Sequence, residues 1–281
     1  MTKPPDGFAQ TYGVELLCEQ PPTIVRSELL QSVRKYCPNA ETMGDAEPGL
    51  SISFFHPDHP VGLAGAAMPA QTHVFVTEEP YSVTPELADD LRQSWGFPDV
   101  AEVLGRCRRS VLVTDMMSSS LAPKERLGLF QAVLAGVLDV VPALAIHWRP
   151  SAHFIKADQY RQAFREGGAS RFFAGGLNVR FFTVDDAPGE MIMDTLGLAA
   201  LGLPDLQCHF RDLDPNDVGT VLMNSGCYIY EAGDVIQDDH TIEGATVGSR
   251  WRCQHEESLV SPHRMVLNLD PGPPHAGDRG D

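Results

Sequence analysis

The sequence predicts an α+β fold, in which helices cover a mixed, mostly antiparallel β-sheet. Two short segments, residues 50–55 and 72–77, alternate apolar with small or polar side chains, which is typical of strands with one buried face. Between Pro123 and Val141 the apolar side chains instead recur every three or four positions, which indicates an amphipathic helix. The chain has 281 residues, of which 43% are hydrophobic, so it is long enough to bury a continuous core.

The pattern of residues 1–118 predicts that the first half of the chain has a βαββαβ-like order of strands and helices. Pro21 and Pro22 begin its first helix, because proline is tolerated in the first helical turn, and Pro38 ends it. Thr84 and Pro85 begin the second helix in the same way. The predicted strands are residues 13–19, 50–55, 72–77 and 110–116, the predicted helices are residues 23–37, 84–95 and 99–108, and residues 61–70 are expected to form a flexible connection.

Residues 119–269 predict a second α+β half. The helix at 123–141 joins the apolar strands 111–113 and 143–146, and such a connection predicts a parallel pair with a right-handed crossover. This pair would tie the two halves into one sheet. The remaining elements are helices at 158–165 and 214–229, a Gly-rich break at 167–176, strands at 177–184, 190–194, 206–210, 250–255 and 265–269, and a disordered tail at 270–281.

The charge of the chain favours a basic protein partner over a nucleic acid. Its 38 acidic and 21 basic residues give a formal net charge of -17. Nucleic-acid affinity depends on Lys and Arg side chains that neutralise phosphates, so we expect no nucleic-acid partner. A protein with a basic surface would be attracted instead, although acidity can also serve solubility alone.

The amino terminus and the cysteines indicate a cytoplasmic chain. Residues 1–13 contain no apolar segment, and no run approaches the ~18 apolar residues that a membrane-spanning helix needs. The six cysteines are scattered without a CxxC pair, which predicts neither a zinc site nor a disulfide framework. We therefore expect reduced thiols, no membrane attachment and a cytoplasmic location.

The common catalytic motifs are missing from the sequence. No GxSxG, GxGxxG, GxxxxGKS/T or HExxH pattern occurs, so the usual nucleophile, dinucleotide, nucleotide and zinc-hydrolase sites lack their parts. No cofactor and no catalytic residue is predicted. Catalytic residues can also come from separate strands and leave no local pattern, so an enzymatic activity stays open while the absences weigh against it.

Two clusters of titratable residues could attract a cation. In His56-Pro57-Asp58-His59-Pro60, the candidate metal ligands are His56, Asp58 and His59, but the prolines exclude a helix and predict a turn after strand 50–55. The second cluster is acidic and could bind a cation or a basic partner, or form a plain hairpin loop. Its members are Asp234, Asp238, Asp239, His240 and Glu243.

The predicted crossover is the main candidate for a ligand-binding cleft, because ligands collect outside the carboxyl ends of parallel strands and beside helix amino termini. The residues after its strands would supply carboxylate, hydroxyl, imidazole and indole groups. They are Asp115, Ser118, Ser119, Ser120 and Lys124 after the first strand, and His147, Trp148, Arg149 and His153 after the second. The alternative is that the serines form a loop ending in a helix cap and that Trp148 is a packing residue.

The string GLAALGLPDL at residues 197–206 is the most specific of three segments that resemble the bacterial domain-of-unknown-function family 4261. The other two are residues 145–148, and residues 239–244 together with residues 254–258. The resemblance covers roughly residues 85–269. It implies no established reaction and assigns no catalytic residues. Members of the family resemble accessory or immunity-type proteins that occur among bacterial toxin and secretion genes.

Two hypotheses from different classes follow. The first is a non-catalytic acidic binding protein, for example an immunity or accessory protein that covers a basic toxin, since the charge, the missing motifs and the resemblance all favour it. The alternative is a small-molecule enzyme or sensor that uses the cleft at the ends of the crossover strands.

Overall fold

The computed structural model describes residues 11–43, 51–63, 66–185 and 187–278. Helices and two mostly antiparallel sheets form an α+β fold, which confirms the predicted fold class. The chain divides into two compact units, with the boundary between Gly176 and Leu177. The sequence analysis placed the boundary after residue 118 and expected one sheet. The structure differs because strands beyond residue 118 still pair with the first sheet, and the later strands pair only among themselves.

The first unit contains a seven-stranded sheet with the first strand near its centre. Its strands are β1 (Gly13–Cys18), β2 (Glu41–Thr42), β3 (Ser51–Leu63), β4 (Ala66–Val76), β5 (Arg109–Met116), β6 (Ala143–Trp148) and β7 (His153–Lys156). Their order is β2-β3-β4-β5-β1-β6-β7, and neighbouring strands are antiparallel. The sequence analysis missed β2 and β7, which have only 2 and 4 residues.

Strand β1 separates the two strands that were expected to pair. Val14 of β1 is opposite Val113 of β5 on one side and opposite Trp148 of β6 on the other. β5 and β6 therefore run in the same direction, but they are not neighbours, and the predicted parallel pair is wrong. The central place suits β1, because Val14, Leu16 and Leu17 are fully buried.

Strands β3 and β4 form one long hairpin, so the flexible connection predicted for residues 61–70 is wrong. The pairing runs from Ser51 opposite Phe75 to Leu63 opposite Ala66, and residues 64 and 65 lie outside the described chain. Ala67 pairs with Gly62 and Met68 with Val61, so the ladder continues through a Gly-containing segment that the sequence analysis read as a connection.

The segment with two prolines lies inside β3 and not in a turn after it. The register of the β3–β4 pair shifts between His56 and Pro60, so the segment forms a bulge. Proline has no backbone N–H to donate to a neighbouring strand. It is therefore tolerated in a strand only where that N–H would have no partner, as at an edge or a bulge. β2 pairs only with Phe54 and Phe55, so among the described residues no strand pairs with this side of β3 at the prolines.

In its described residues, the first unit contains six α-helices: α1 (Arg26–Val33), α2 (Ala88–Arg92), α3 (Val100–Arg106), α4 (Pro123–Leu138), α5 (Ala157–Glu166) and α6 (Gly168–Phe173). α4 is the helix predicted from its apolar periodicity, and Leu127, Phe130 and Leu134 are buried on its inner face. α6 replaces the predicted Gly-rich break. The positive φ angles of Gly167 (73°) and Gly168 (55°) reverse the chain after α5, and the following residues form a helical turn.

The second unit contains a six-stranded sheet and one α-helix in the described residues. Its elements are β8 (Asn178–Thr183), β9 (Glu190–Leu196), β10 (Asp205–Arg211), α7 (Pro215–Ala232), β11 (Thr241–Glu243), β12 (Arg250–Glu257) and β13 (Met265–Asp270). The strand order is β11-β12-β13-β10-β9-β8, and only β10 and β13 are parallel neighbours there. α7 packs on β9 and β10 through buried Val218, Leu222 and Ile229. Asp214 caps it by accepting a hydrogen bond from the Asn216 amide at 2.9 Å.

A buried network of charges joins β9, β10 and the segment before β13. Arg264 donates to Asp205 at 3.0 Å and to Asp194 at 2.7 Å, and Arg180 donates twice to Asp194, at 2.9 and 2.5 Å. Asp205 also accepts the amide of Leu198 at 3.1 Å. Burial raises the pKa of Asp205 above its usual value, while the Arg264 guanidinium opposes that rise. The string GLAALGLPDL is therefore a turn held by its own aspartate.

The tail is attached to the second unit over its described part. Ala276 forms a β-bridge with Phe210, and the Arg211 amide donates to the carbonyl of His275 at 2.9 Å. The Asp278 amide donates to Glu190 at 3.0 Å. This contradicts the disordered tail expected at 270–281 as far as residue 278, and residues 279–281 lie outside the described chain. In the described residues, no helix has the length and apolar character needed to cross a membrane.

Candidate functional site

Asp115, from the predicted crossover cleft, belongs to a buried ion pair. Its carboxylate accepts hydrogen bonds from Nε of Arg126 at 2.6 Å and from the amide of Tyr12 at 2.6 Å. The side chains of Asp115 and Arg126 are only 3% and 1% exposed. The pair joins the end of β5, the residue before β1 and the first turns of α4. The Asp115 carboxylate is therefore already bound by groups of the protein itself.

The three serines lie in the loop between β5 and α4. Ser118 is buried and donates a hydrogen bond to the carbonyl of Met116 at 3.1 Å. Ser119 is half-buried, Ser120 is exposed, and Lys124 is exposed in the first turn of α4. The hydrogen bond of Ser118 is typical of a loop residue, which agrees with the structural alternative for this segment.

His147, which lies within β6, and Arg149, which follows β6, contact β1, α2 and the aromatic core. His147 stacks on Phe154 with ring centroids 4.3 Å apart, and its Nε2 lies 2.7 Å from a carboxylate oxygen of Asp90. Arg149 donates to Glu15 of β1 at 3.1 Å. These contacts tie His147 and Arg149 to neighbouring elements, and the structure does not place them against Ser118–Ser120 in a shared hollow.

Trp148 is a fully buried packing residue. Its ring centroid lies 6.0 Å from that of Tyr12, 6.1 Å from that of Phe130 and 5.7 Å from that of Tyr160. An added Cβ at Gly175 would overlap the indole ring, so the chain passes directly over it. Of the predicted cleft residues, the structure therefore assigns Asp115 and Trp148 to the core.

The buried histidines of the first unit predict a pH dependence of its stability. Burial lowers the pKa of His56 and His153 from 6.5 to about 4. Below about pH 6.5 the unfolded chain binds protons that the folded unit does not, so the free energy of unfolding decreases as the pH falls toward 4. By about pH 5 we expect a loss of about 2 kcal/mol for each histidine, measured by urea denaturation between about pH 7 and 5. His153→Phe should reduce the dependence of the free energy of unfolding on pH. An unchanged pH dependence in this variant would contradict the explanation.

The candidate metal ligands of β3 border a small hollow of about 320 Å³. His59 lies 2.7 Å from Glu125 of α4, the Asn39 side chain donates to Asp58 at 2.9 Å, and His56 bonds to the hydroxyl of Thr72. These separate pairings divide the three side chains among different neighbours. Across the described chain, no group of three or more His, Cys, Asp or Glu side chains has the arrangement of a metal site.

The acidic cluster after α7 is a loop that leads into β11. His255 of β12 lies 2.8 Å from Asp238 and 3.3 Å from Asp234, and Arg252 pairs with Asp239. Hydrogen bonds from the backbone and ring of His255 lower the pKa of Asp238. The cluster is therefore held to β12, and it presents His240 and Glu243 on its other side.

A groove of about 770 Å³ lies between α7 and β11. Its walls are the exposed face of α7, residues 235–236, and residues 240–245 around β11. Asp217, Thr220, Asn224 and Tyr228 lie along the α7 wall at intervals of three and four, which places them on one helical face. The sequence analysis identified the helix and the acidic loop separately and missed the groove that they form.

The chemistry of this groove is acidic and partly apolar. Asp217 and Glu243 contribute carboxylates and His240 an imidazole, and the described lining residues include no Lys or Arg. Tyr228 is 54% exposed and Val235 is 48% exposed, so apolar surface lies beside the carboxylates. Such a surface matches a ligand with positive charge and short apolar side chains.

Four of the six cysteines have thiols that stay protonated at neutral pH. All six are free. Burial raises the pKa of Cys18 to about 12 and that of Cys37, Cys107 and Cys253 to about 11. A protonated thiol is a poor nucleophile, so these four positions do not support covalent chemistry.

Residues 194–270 match the model of a family described as Domain of unknown function (DUF4261). The match confirms the family resemblance for this segment, which begins in β9, ends with β13 and contains both walls of the groove. Residues 85–193, over which the resemblance was also expected, lie outside the matched segment. No curated protein and no solved structure matches the chain.

Proposed function

We propose that the chain is a non-catalytic binding protein that holds a basic protein partner in the groove between α7 and β11. The observation that carries this proposal is the charge of the groove: its lining contains Asp217 and Glu243 but, among the described residues, no Lys or Arg. The net charge of -17 adds long-range attraction for the same kind of partner.

Exposed apolar surface favours a protein partner over a free cation. Tyr228 and Val235 would remain in contact with water unless a partner covers them. Aromatic side chains surrounded by polar residues are frequent centres of protein interfaces, because a partner buries the ring and excludes water from the polar contacts around it. A protein with a basic and partly apolar segment fits both features.

An immunity or accessory function toward a basic toxin is the more specific form of this proposal, and the family resemblance is its support. The alternative, a small-molecule enzyme or sensor at the crossover strands, has less support. Asp115 is paired with Arg126, Trp148 is in the core, and β1 lies between the two strands.

Affinity capture from the native host tests the proposal. The wild-type chain should retain one stoichiometric basic protein at low salt and less of it at moderate salt, because exposed charges are screened. Glu243→Lys should weaken this binding at least tenfold, which corresponds to about 1.4 kcal/mol. Both walls of the groove remain folded in the variant, since Glu243 is exposed.

Glu79→Lys is the matched control, because Glu79 is exposed in the first unit and the substitution changes the net charge equally. It should retain the partner like the wild type. Equal losses in the two variants would show that binding depends on net charge and not on the groove. Retention by both variants, or no stoichiometric partner at either salt concentration, would refute the proposal.

A further inference from the structure

Strand β11 forms one edge of the six-stranded sheet and also one wall of the groove. On one side it pairs with β12, with Thr241 opposite Arg252 and Glu243 opposite Arg250. In the described residues, no strand pairs with its other side. An unpaired edge exposes backbone donors and acceptors that a further strand can bind.

The hydrogen-bond pattern identifies which backbone groups face this open edge. The Cys253 amide donates to the carbonyl of His240 at 2.8 Å, and the Gly244 amide donates to Ser249 at 3.0 Å. In an antiparallel pair, alternate residues exchange bonds with the neighbour. The even-numbered positions of β11 therefore face β12, and Thr241 and Glu243 direct their amides and carbonyls to the open side.

β11 and α7 both border the groove. Thr241, Ile242 and Glu243 line the strand wall, while Asn224 and Tyr228 line the helix wall. A groove between an edge strand and a helix can accept an extended peptide, whose backbone bonds to the strand while its side chains contact both walls.

From this geometry we infer that the basic partner binds through an extended segment that adds to β11 as an antiparallel strand. The inference rests on the proposed function and specifies how the partner is recognised. Side chains directly opposite each other lie on the same face of a sheet. Basic residues are therefore expected opposite Thr241 and Glu243, and an apolar residue opposite Ile242.

Two arginines of β12 are close to this face and do not oppose the added strand. Arg252 is paired with Asp239, and Arg250 stands on the far side of Glu243 from the open edge. Neither is among the residues that line the groove. Glu243 can therefore take an ion pair from the new strand on its open side.

The probe is a dye-labelled acetyl-Lys-Val-Lys-Val-Lys-amide peptide, and its binding is followed by fluorescence anisotropy at low salt. The wild-type chain should bind it saturably. In the inferred register the lysine amides donate to β11 and the valine amides point away. N-methylation of the lysine amides should weaken binding at least tenfold, whereas N-methylation of the valine amides should change it less than threefold.

Thr241→Pro is the matching change in the protein, with Thr241→Val as its control. Proline removes only an amide that faces the open edge, where prolines are tolerated in strands, and valine keeps the amide and the branched side chain. Thr241→Pro should weaken peptide binding at least tenfold, and Thr241→Val should leave it within threefold.

The inference is overturned if the wild-type chain does not bind the peptide. It is also overturned if the lysine-methylated peptide binds at least as tightly as the valine-methylated one, a comparison that does not depend on how the proline variant folds. In either case the proposed function is decided separately, by whether Glu243→Lys loses the captured partner while Glu79→Lys retains it.

Discussion

Arg264→Ala lowers the free energy of unfolding of the second unit by about 3–5 kcal/mol, which is the expected cost of removing one partner from a buried ion pair. Arg264 donates to Asp194 and Asp205, whose side chains are 0% exposed. Without the guanidinium, Asp205 loses its charge-assisted bond from Arg264, and Asp194 is left with its bonds from Arg180, while both carboxylates stay buried. Urea denaturation gives the free energy, and hydrogen exchange of residues 177–278 assigns the loss to this unit.

Arg252→Ala is the matched control for this prediction. Arg252 pairs with Asp239, but the two side chains are 59% and 74% exposed. Exposed ion pairs contribute at most about 1 kcal/mol, so this variant should remain close to the wild type. Equal losses in the two arginine variants would contradict the structural importance assigned to the buried network.

Gly136→Ala destabilises the first unit by about 2–3 kcal/mol, even though alanine is a better helix former than glycine. An added Cβ at Gly136 of α4 would lie 2.6 Å from Cα and 2.9 Å from N of Val33 in α1. These are backbone atoms, so the two helices must separate to accommodate the methyl group. The expected result is a lower midpoint of urea denaturation, with an unchanged dependence of the free energy of unfolding on urea concentration.

Gly128→Ala in the same helix should change the stability of the first unit in the opposite direction. No atom lies within 4 Å of an added Cβ at Gly128, so the variant gains helix propensity without a clash and becomes more stable by about 0.5–1 kcal/mol. Stabilisation by both substitutions would show that α1 and α4 are less closely packed than the structure indicates.

Local patterns predicted most elements, but they did not predict which strands are neighbours. The periodicity of α4 and the alternation at the start of β3 and the end of β4 follow from burying one face of each element, so these segments were correctly located. The insertion of β1 between β5 and β6 depends on contacts between residues that are 91 to 134 positions apart in the chain. No local spacing encodes such a contact, and the predicted parallel pair failed for that reason.

Proline and glycine misled the sequence analysis where the tertiary context removes their usual cost. Pro57 and Pro60 lie at an irregular segment of β3 beyond the residues that pair with β2, and proline is tolerated at bulges and strand edges. Gly167 and Gly168 do mark a chain reversal, but α6 starts immediately after it. The strength of these residues as boundary signals depends on the neighbouring strand or helix.

The groove could have been inferred in part from the sequence. Asp217, Thr220, Asn224 and Tyr228 form a polar stripe along α7, and the acidic segment at residues 234–243 follows it closely. The stripe indicates an exposed helix face. That β11 runs beside this face is a consequence of the strand order of the second sheet, which the sequence patterns do not specify.

Hydrogen exchange of the chain with and without its captured partner tests the central claim most directly. The account predicts slower exchange in α7 and in residues 240–245 when the partner is bound, with the amides of Thr241 and Glu243 among those protected. Slower exchange confined to residues 11–176, or no change in α7 and residues 240–245, would contradict it.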